Sequence, residues 1–137
     1  KRPWQHVLEP LYGYMLLAKK LYEFNNNYTN QELYAEPFNF GPQSNSNKTV
    51  EDLLNKILSH WPGKYKINFS KDSYYESGLL NLVSDKSLEM LNWHQKISFE
   101  ETVSKTVNWY KDYYSGISVI ECCLKDINYY EGLIDEF

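Results

Sequence analysis

Three histidines, two adjacent cysteines and a single arginine are the residues best suited to chemistry in this chain, and their spacing argues against most of it. A zinc or redox-metal site needs ligands grouped at short, fixed intervals. His6, His60 and His94 are scattered, and no Cys/His set has that spacing. His60 stands beside Trp61 near a helix end and His94 follows Trp93 before a turn, so packing and dipole interactions account for both. Cys122 and Cys123 are neighbours, and a vicinal pair forms only a strained disulfide. Two reduced thiols on a helix, at least one facing the core, are expected instead, which suits a reducing, cytoplasmic compartment. The chain has no G-x-G-x-x-G phosphate loop and no G-x-S-x-G elbow. Chemistry alone therefore points to a soluble α/β binding domain with no catalytic, cofactor-binding or metal-ligating residue.

The bulk composition narrows the partners. A length of 137 residues favours one domain, residues 1–137, with one modest core. Charged residues are 23% and the hydrophobic set 42%, values of an ordinary globular chain rather than a disordered one. Net charge is −4 and Arg2 is the one arginine, so the clustered cations that neutralise phosphates in nucleic-acid binding are missing. No apolar run approaches the length of a membrane span, and no N-terminal signal pattern is present. Thirteen tyrosines suit half-buried surfaces and interfaces, although richness in Asn, Lys and Tyr follows more simply from AT-rich coding.

The elements that must position these residues follow from periodicity. After a short extended start, residues 8 to 24 have helical spacing through Leu8, Leu11, Met15, Leu16 and Leu21, with Pro10 tolerated in the first turn. Asn25 to Asn27 stop that helix. Phe38 to Phe40 predict a short strand closed by Gly41-Pro42, and a Ser/Asn-rich loop follows. Thr49 opens a second helix with Asp52 as its cap partner, and Val50, Leu53, Leu54, Ile57 and Leu58 form its buried face. Lys64 to Phe69 alternate as a half-buried strand does, and Leu79 to Val83 predict another. Ser84 caps a short helix ending at Asn92, a residue suited to the left-handed turn there. Ser98-Phe99-Glu100-Glu101 is a capping box. The helix it starts carries Phe99, Val103, Val107, Tyr110 and Tyr114 on one stripe, and Gly116 ends it. Ile117 to Tyr130 predict a last helix. The expected architecture is a small α/β domain with four to five helices and a few short strands, with Trp4, Trp93 and Trp109 in its core.

The run RPWQHVLEPLYGYMLLAKKLYE, residues 2 to 23, resembles a specific motif of the CDP-glucose 4,6-dehydratases, members of the extended short-chain dehydrogenase/reductase superfamily. Pro3, Gln5, His6, Leu8, Glu9 and Pro10 pick out this branch from relatives with a looser Arg-x-aromatic-x-x-Val version. The pattern continues through Phe38-Asn39-Phe40-Gly41-Pro42, Thr49-Val50, Tyr75-Glu76-Ser77, Lys86, Leu91-Asn92-Trp93, Phe99-Glu100-Glu101 and Thr106 to Tyr110. The resemblance covers essentially the whole chain. It departs from the family at Tyr75, where His is usual, at Val83 and Asp85, and at Asn92, where Gly is usual. Tyr75 bears on the identity of the nucleotide or sugar.

The resemblance implies a C-terminal nucleotide-sugar-binding domain, whose N-terminal Rossmann partner holds NAD and a Tyr-x-x-x-Lys pair. In this chain Tyr22 meets Asn26, and Lys66 meets Pro62, at that spacing, so neither is a candidate. The family reaction oxidises C4 of the hexose with bound NAD, eliminates water from C5–C6, and returns the hydride at C6. This portion alone is then expected to be inactive, to bind no NAD and to bind CDP very weakly. The resemblance implies that Arg2 contacts the substrate diphosphate, as its rigid fork of donors allows. It implies that Glu76 accepts hydrogen bonds from the nucleotide ribose. Asn39 is placed to hydrogen-bond either the ligand or its own loop backbone. His6 either supports the site or packs where the chain enters the helix. The implied partners are CDP-glucose or a related nucleotide sugar and the Rossmann domain, and the setting is deoxysugar biosynthesis for surface polysaccharide such as O-antigen. The face toward that domain is expected to be apolar and to invite self-association. The rival expectations are another nucleotide-sugar dehydratase or epimerase, and a stand-alone, non-catalytic binding domain.

Overall fold

The computed structural model describes residues 1–23, 32–68 and 78–134. Strand β1 (Arg2–Pro3) runs antiparallel to β2 (Asn47–Lys48), with Arg2 opposite Lys48 and Pro3 opposite Asn47. A ribbon this short tolerates Pro3, because every strand in it is an edge. Trp4 extends the join: its amide donates to the Ser46 carbonyl and its indole N–H to the Lys48 carbonyl. Helix α1 (Leu8–Glu23) follows, and Pro10 lies in its first turn, where no intrahelical bond is lost. A 3-10 turn (Ser44–Ser46) leads into β2, and α2 (Val50–His60), α3 (Asp85–Leu91), α4 (Phe99–Tyr114) and α5 (Val119–Glu131) complete the regular structure, with residues 32–34 also helical. The domain is small and mostly helical with a two-stranded sheet, in keeping with the expected class.

Local chemistry sets most helix ends. Thr49 Oγ1 accepts the Asp52 amide at 3.0 Å, and the Asp52 carboxylate accepts the Thr49 amide in return. Ser98 and Glu101 repeat this box on α4. A third box, Ser118 with Glu121, starts α5 two residues later than the periodicity suggests. Asn92 ends α3 at φ 52°, and Gly116 follows α4 at φ 99°. Removing the Ser98 hydroxyl orphans one of α4's first donors. Ser98→Ala is expected to cost about 1 kcal/mol, read as a lowered melting temperature by circular dichroism.

Several expected strands form no ladder among the described residues. Asn39 and Gly41 give their polar groups to side chains instead: Ser87 Oγ donates to the Asn39 carbonyl, and Ser84 Oγ accepts the Gly41 amide at 2.8 Å. Ser84 therefore does not cap α3, because its hydroxyl is spent on Gly41. Residues 79–83 also lie outside regular structure. So do residues 64–68, which are exposed: among the described residues their alternating pattern finds no surface to pack on. Phe69 and Asn25 to Asn27 fall outside the described residues.

The core has two clusters. Phe40, Leu91 and Trp93 form one, packed by Tyr12, Leu16 and Leu17 of α1. Phe99, Val103 and Val107 of α4 form the other, packed by Trp4, Leu53 and Ile57. Trp109 is half-buried outside both, stacked on Tyr113. The α4 stripe is buried only as far as Val107, and Tyr110 and Tyr114 are exposed. On α1 the expected face is rotated. Leu11 and Met15 are 44% and 55% exposed, while Glu9 and Gly13 are buried. Gly13 decides this, since a Cβ there would lie 2.3 Å from Cδ1 of Phe40. Cys122 and Cys123 are both free thiols, the first buried and the second exposed.

Candidate functional site

Arg2 reaches its place through the β1–β2 ribbon. It is half-buried, and its Nη1 donates to the Lys1 carbonyl at 2.9 Å. The chain returns alongside at residues 78–80: the backbone nitrogen of Lys1 donates to the Gly78 carbonyl, and the Leu80 amide to the Lys1 carbonyl at 3.2 Å. Gly78 and Leu80 therefore lie against the residue next to Arg2. Glu76 and Tyr75 fall outside the described residues.

Past Leu80 the same segment walls a cavity of about 330 Å³ of mixed character, lined by Gln43, Asn81, His94 and Gln95 together with Leu82 and Leu88 among others. Gly41 is needed here for close approach, since a Cβ on it would meet Leu82 Cβ at 2.3 Å. Asn39 is exposed, and its amide donates to the Val83 carbonyl at 3.3 Å, fastening one wall of the cavity to the other. Neither Arg2 nor Asn39 lines this cavity.

His6 lies elsewhere, with 5% of its surface exposed. Its Nδ1 accepts the Leu8 amide at 3.4 Å, which places the proton on Nε2, 3.8 Å from the Asp126 carboxylate on α5. Lys105 approaches the same carboxylate at 4.0 Å. Burial pushes the His6 pKa below its ordinary 6.5, outweighing the attraction of Asp126, and Lys105 adds to the downward shift. Below pH 6.5 the unfolded chain then binds the His6 proton before the folded one does, so acidification through that range lowers stability. His6→Asn keeps an acceptor for Leu8 without the titration. The variant is expected to lose less melting temperature than the wild type between roughly pH 7 and pH 5.

Glu9 has no exposed surface. One carboxylate oxygen accepts the Lys96 and Ile97 amides at 2.9 and 2.6 Å, and the other accepts the Tyr130 hydroxyl at 2.8 Å. Its carbonyl accepts the Trp93 indole N–H at 3.1 Å. Burial raises the Glu9 pKa even so, the three donors pulling the other way, and burial drives the Tyr130 hydroxyl far upward. Sequence inspection singled out neither Glu9, Asp126 nor Tyr130 as a functional residue. Glu9 was noticed only as part of a motif.

Beside His6 an apolar cavity of about 420 Å³ opens between α1, α4 and α5, lined by Val7, Leu11, Tyr110, Cys123 and Ile127 among others. A second, of about 360 Å³, shares Tyr110 and lies toward Trp4, Leu53 and Trp61. Among the described residues no group of three His, Cys, Asp or Glu is placed to hold a metal ion, and no helix is long and apolar enough to cross a membrane. The arrangement offers polar and apolar surfaces for binding, and ties between segments.

No family model matches the sequence. Over 130 residues the chain is 33% identical to a curated protein of Salmonella typhimurium (strain LT2) described as CDP-glucose 4,6-dehydratase, covering 94% of this chain. The chain is similar to a CDP-glucose 4,6-dehydratase. It spans about a third (34%) of that relative's length. With 94% of the chain inside the match, the likeness to CDP-glucose 4,6-dehydratase extends far past the opening motif and takes in most of both core clusters.

Proposed function

We propose that this chain is the C-terminal, nucleotide-sugar-binding part of a CDP-glucose 4,6-dehydratase-like enzyme of the cytoplasm, converting CDP-glucose to CDP-4-dehydro-6-deoxyglucose for deoxysugar biosynthesis. The observation that carries this is the 33% identity over 130 residues to a CDP-glucose 4,6-dehydratase. In this proposal Arg2 takes the diphosphate with a bidentate guanidinium, the role its fork of donors suits. Glu76 takes the ribose, and the bonds of Lys1 to Gly78 and Leu80 bring residues 78–80 alongside the strand that carries Arg2. Asn39 acts by fastening its segment to Val83, and His6 by packing where the chain enters α1.

The chemistry of NAD in such an enzyme is to take a hydride from the hexose C4 and return it at C6. The described residues form a two-stranded antiparallel sheet, without the parallel strand–helix–strand unit that seats a dinucleotide. NAD then belongs to a further domain of the whole enzyme. Isolated, this chain is then inactive. The uncovered face of α1 supports a covering domain. Leu11 and Met15, with Val7 just before the helix, are exposed on one side while Tyr12, Leu16 and Leu17 pack on the other, and a helix apolar on both sides belongs between two layers.

The test is to express the whole protein encoded by the gene and supply NAD with CDP-, UDP-, GDP- or dTDP-glucose. A 4-keto product is expected from CDP-glucose alone. Arg2→Ala is expected to raise KM roughly tenfold to a hundredfold, the value of one charge-assisted contact. Product from another base would overturn the CDP assignment, and a reading frame without a dinucleotide-binding segment would overturn the enzyme assignment. Leu11→Asp is expected to lower kcat/KM at least about tenfold in the whole enzyme while leaving the melting temperature of this isolated chain unchanged. Unfolding of the isolated variant would count against the covering domain.

A further inference from the structure

We infer that Glu9 is a positioning residue through which helix α5, at the far end of the chain, holds the Arg2-bearing strand in place; this rests on the reading of Arg2 as a nucleotide ligand. Two side chains one turn apart on α5 grip the entry to α1, one just before the helix and one in its first turn. Asp126 faces His6 at 3.8 Å, and the Tyr130 hydroxyl donates to Glu9 at 2.8 Å. Residues four apart on a helix share a face, so one surface of α5 meets both. From Glu9 the tie continues without a gap. Its carboxylate holds the Lys96 and Ile97 amides, and the neighbouring Gln95 carries the connection onward. The Gln95 amide group donates to Ser46 Oγ at 3.2 Å, and its oxygen accepts the Gln43 amide at 2.9 Å. Ser46 is buried, and its carbonyl accepts the Trp4 amide beside the β1–β2 pairing that carries Arg2.

The Glu9, Gln95 and Ser46 side chains along this path are all bonded inside the protein, which favours one arrangement of the ribbon. Buried polar groups specify geometry in this way because an unpaired one is costly. A carboxylate at Glu9 is suited to the joint, since it accepts from three donors on two different segments at once. The network touches no ligand. Its contribution is the orientation of Arg2.

Amide hydrogen exchange and ligand titration test this together. In Tyr130→Phe, exchange of the Trp4 and Leu80 amides is expected to accelerate about tenfold, while the Trp61 amide, bonded within the α2 end, is unchanged. Glu9→Ala is expected to reproduce that pattern. Glu9→Gln keeps one acceptor oxygen and can donate to Tyr130, and is expected to restore wild-type exchange. With CDP as the probe, followed by chemical-shift changes, Arg2→Ala is expected to weaken binding about tenfold in the wild type. In the Tyr130→Phe background it is expected to weaken binding less than about threefold, because a misaligned Arg2 has little left to lose. Uniform acceleration of all amides, or additive losses in the cycle, would overturn the positioning role. If Arg2→Ala leaves wild-type CDP affinity unchanged, the nucleotide assignment of Arg2 fails and this inference falls with it, whereas the exchange pattern still judges the tie to α5 separately.

Discussion

Replacing Trp93 with alanine is expected to lower stability by about 3–5 kcal/mol, the range for truncating a buried tryptophan. Only 1% of Trp93 is exposed, and its ring meets Phe40 edge-to-face at a centroid distance of 5.2 Å. Its indole N–H is also the partner of the Glu9 carbonyl at 3.1 Å. Truncation opens a cavity at the junction of α1, α3 and the 38–41 segment, and removes a buried hydrogen bond to the first turn of α1. A loss of that size is a large share of the roughly 5–15 kcal/mol that holds a domain together. Urea denaturation followed by circular dichroism measures it. Trp61→Ala is the internal control: Trp61 is 39% exposed, and its loss is expected to be far smaller. Equal losses for the two variants would mean that the Phe40–Trp93 cluster is not the centre of the first core.

Gly13→Ala is expected to destabilise as well, against the usual helix preference. In an open helix position the change to alanine gains roughly 0.5–1 kcal/mol. Here the new methyl would stand 2.3 to 2.7 Å from three atoms of the buried Phe40 ring. Relieving that overlap requires α1 to lift or Phe40 to leave its rotamer, a cost of about 1–3 kcal/mol. A fall in melting temperature checks the sign, and Phe40→Leu in the same chain is expected to recover part of it by making room. Gly78→Ala meets nothing within 4 Å and is expected to be neutral. A rise in melting temperature for Gly13→Ala would show that α1 does not pack on Phe40.

The parts of the fold that could be read from sequence are those whose partners lie a few residues apart. The boxes at Thr49/Asp52 and Ser98/Glu101, the left-handed turn at Asn92 and the stop at Gly116 are of this kind, because a helix end is satisfied by its own first or last turn. The expected strands failed for the opposite reason. Alternation at 64–68 states only that a surface would be welcome, and Asn39 and Gly41 found side-chain hydroxyls in place of a neighbouring strand. Helix α1 carries apolar residues on both sides, so spacing alone could not choose between Leu11 with Met15 and Tyr12 with Leu16. The choice follows from Gly13, the one position that admits the Phe40 ring.

Of the candidate site, sequence resemblance singled out Arg2, Asn39, His6 and Glu76, and the structure describes the first three in three separate settings. Arg2 sits on the ribbon, Asn39 fastens a cavity wall, and His6 is enclosed against Asp126. The sequence by itself determined most helix ends, the two free thiols on one helix and the likeness to a CDP-glucose 4,6-dehydratase. Each of these depends on residue type or on neighbours within one turn. Only the tertiary structure decided which face of α1 is core, and that Glu9 is a joint between segments rather than a helix-end carboxylate. Its partners stand 87, 88 and 121 positions along the chain. No periodicity carries a contact across that distance, because folding, and not spacing, brings the donors to it.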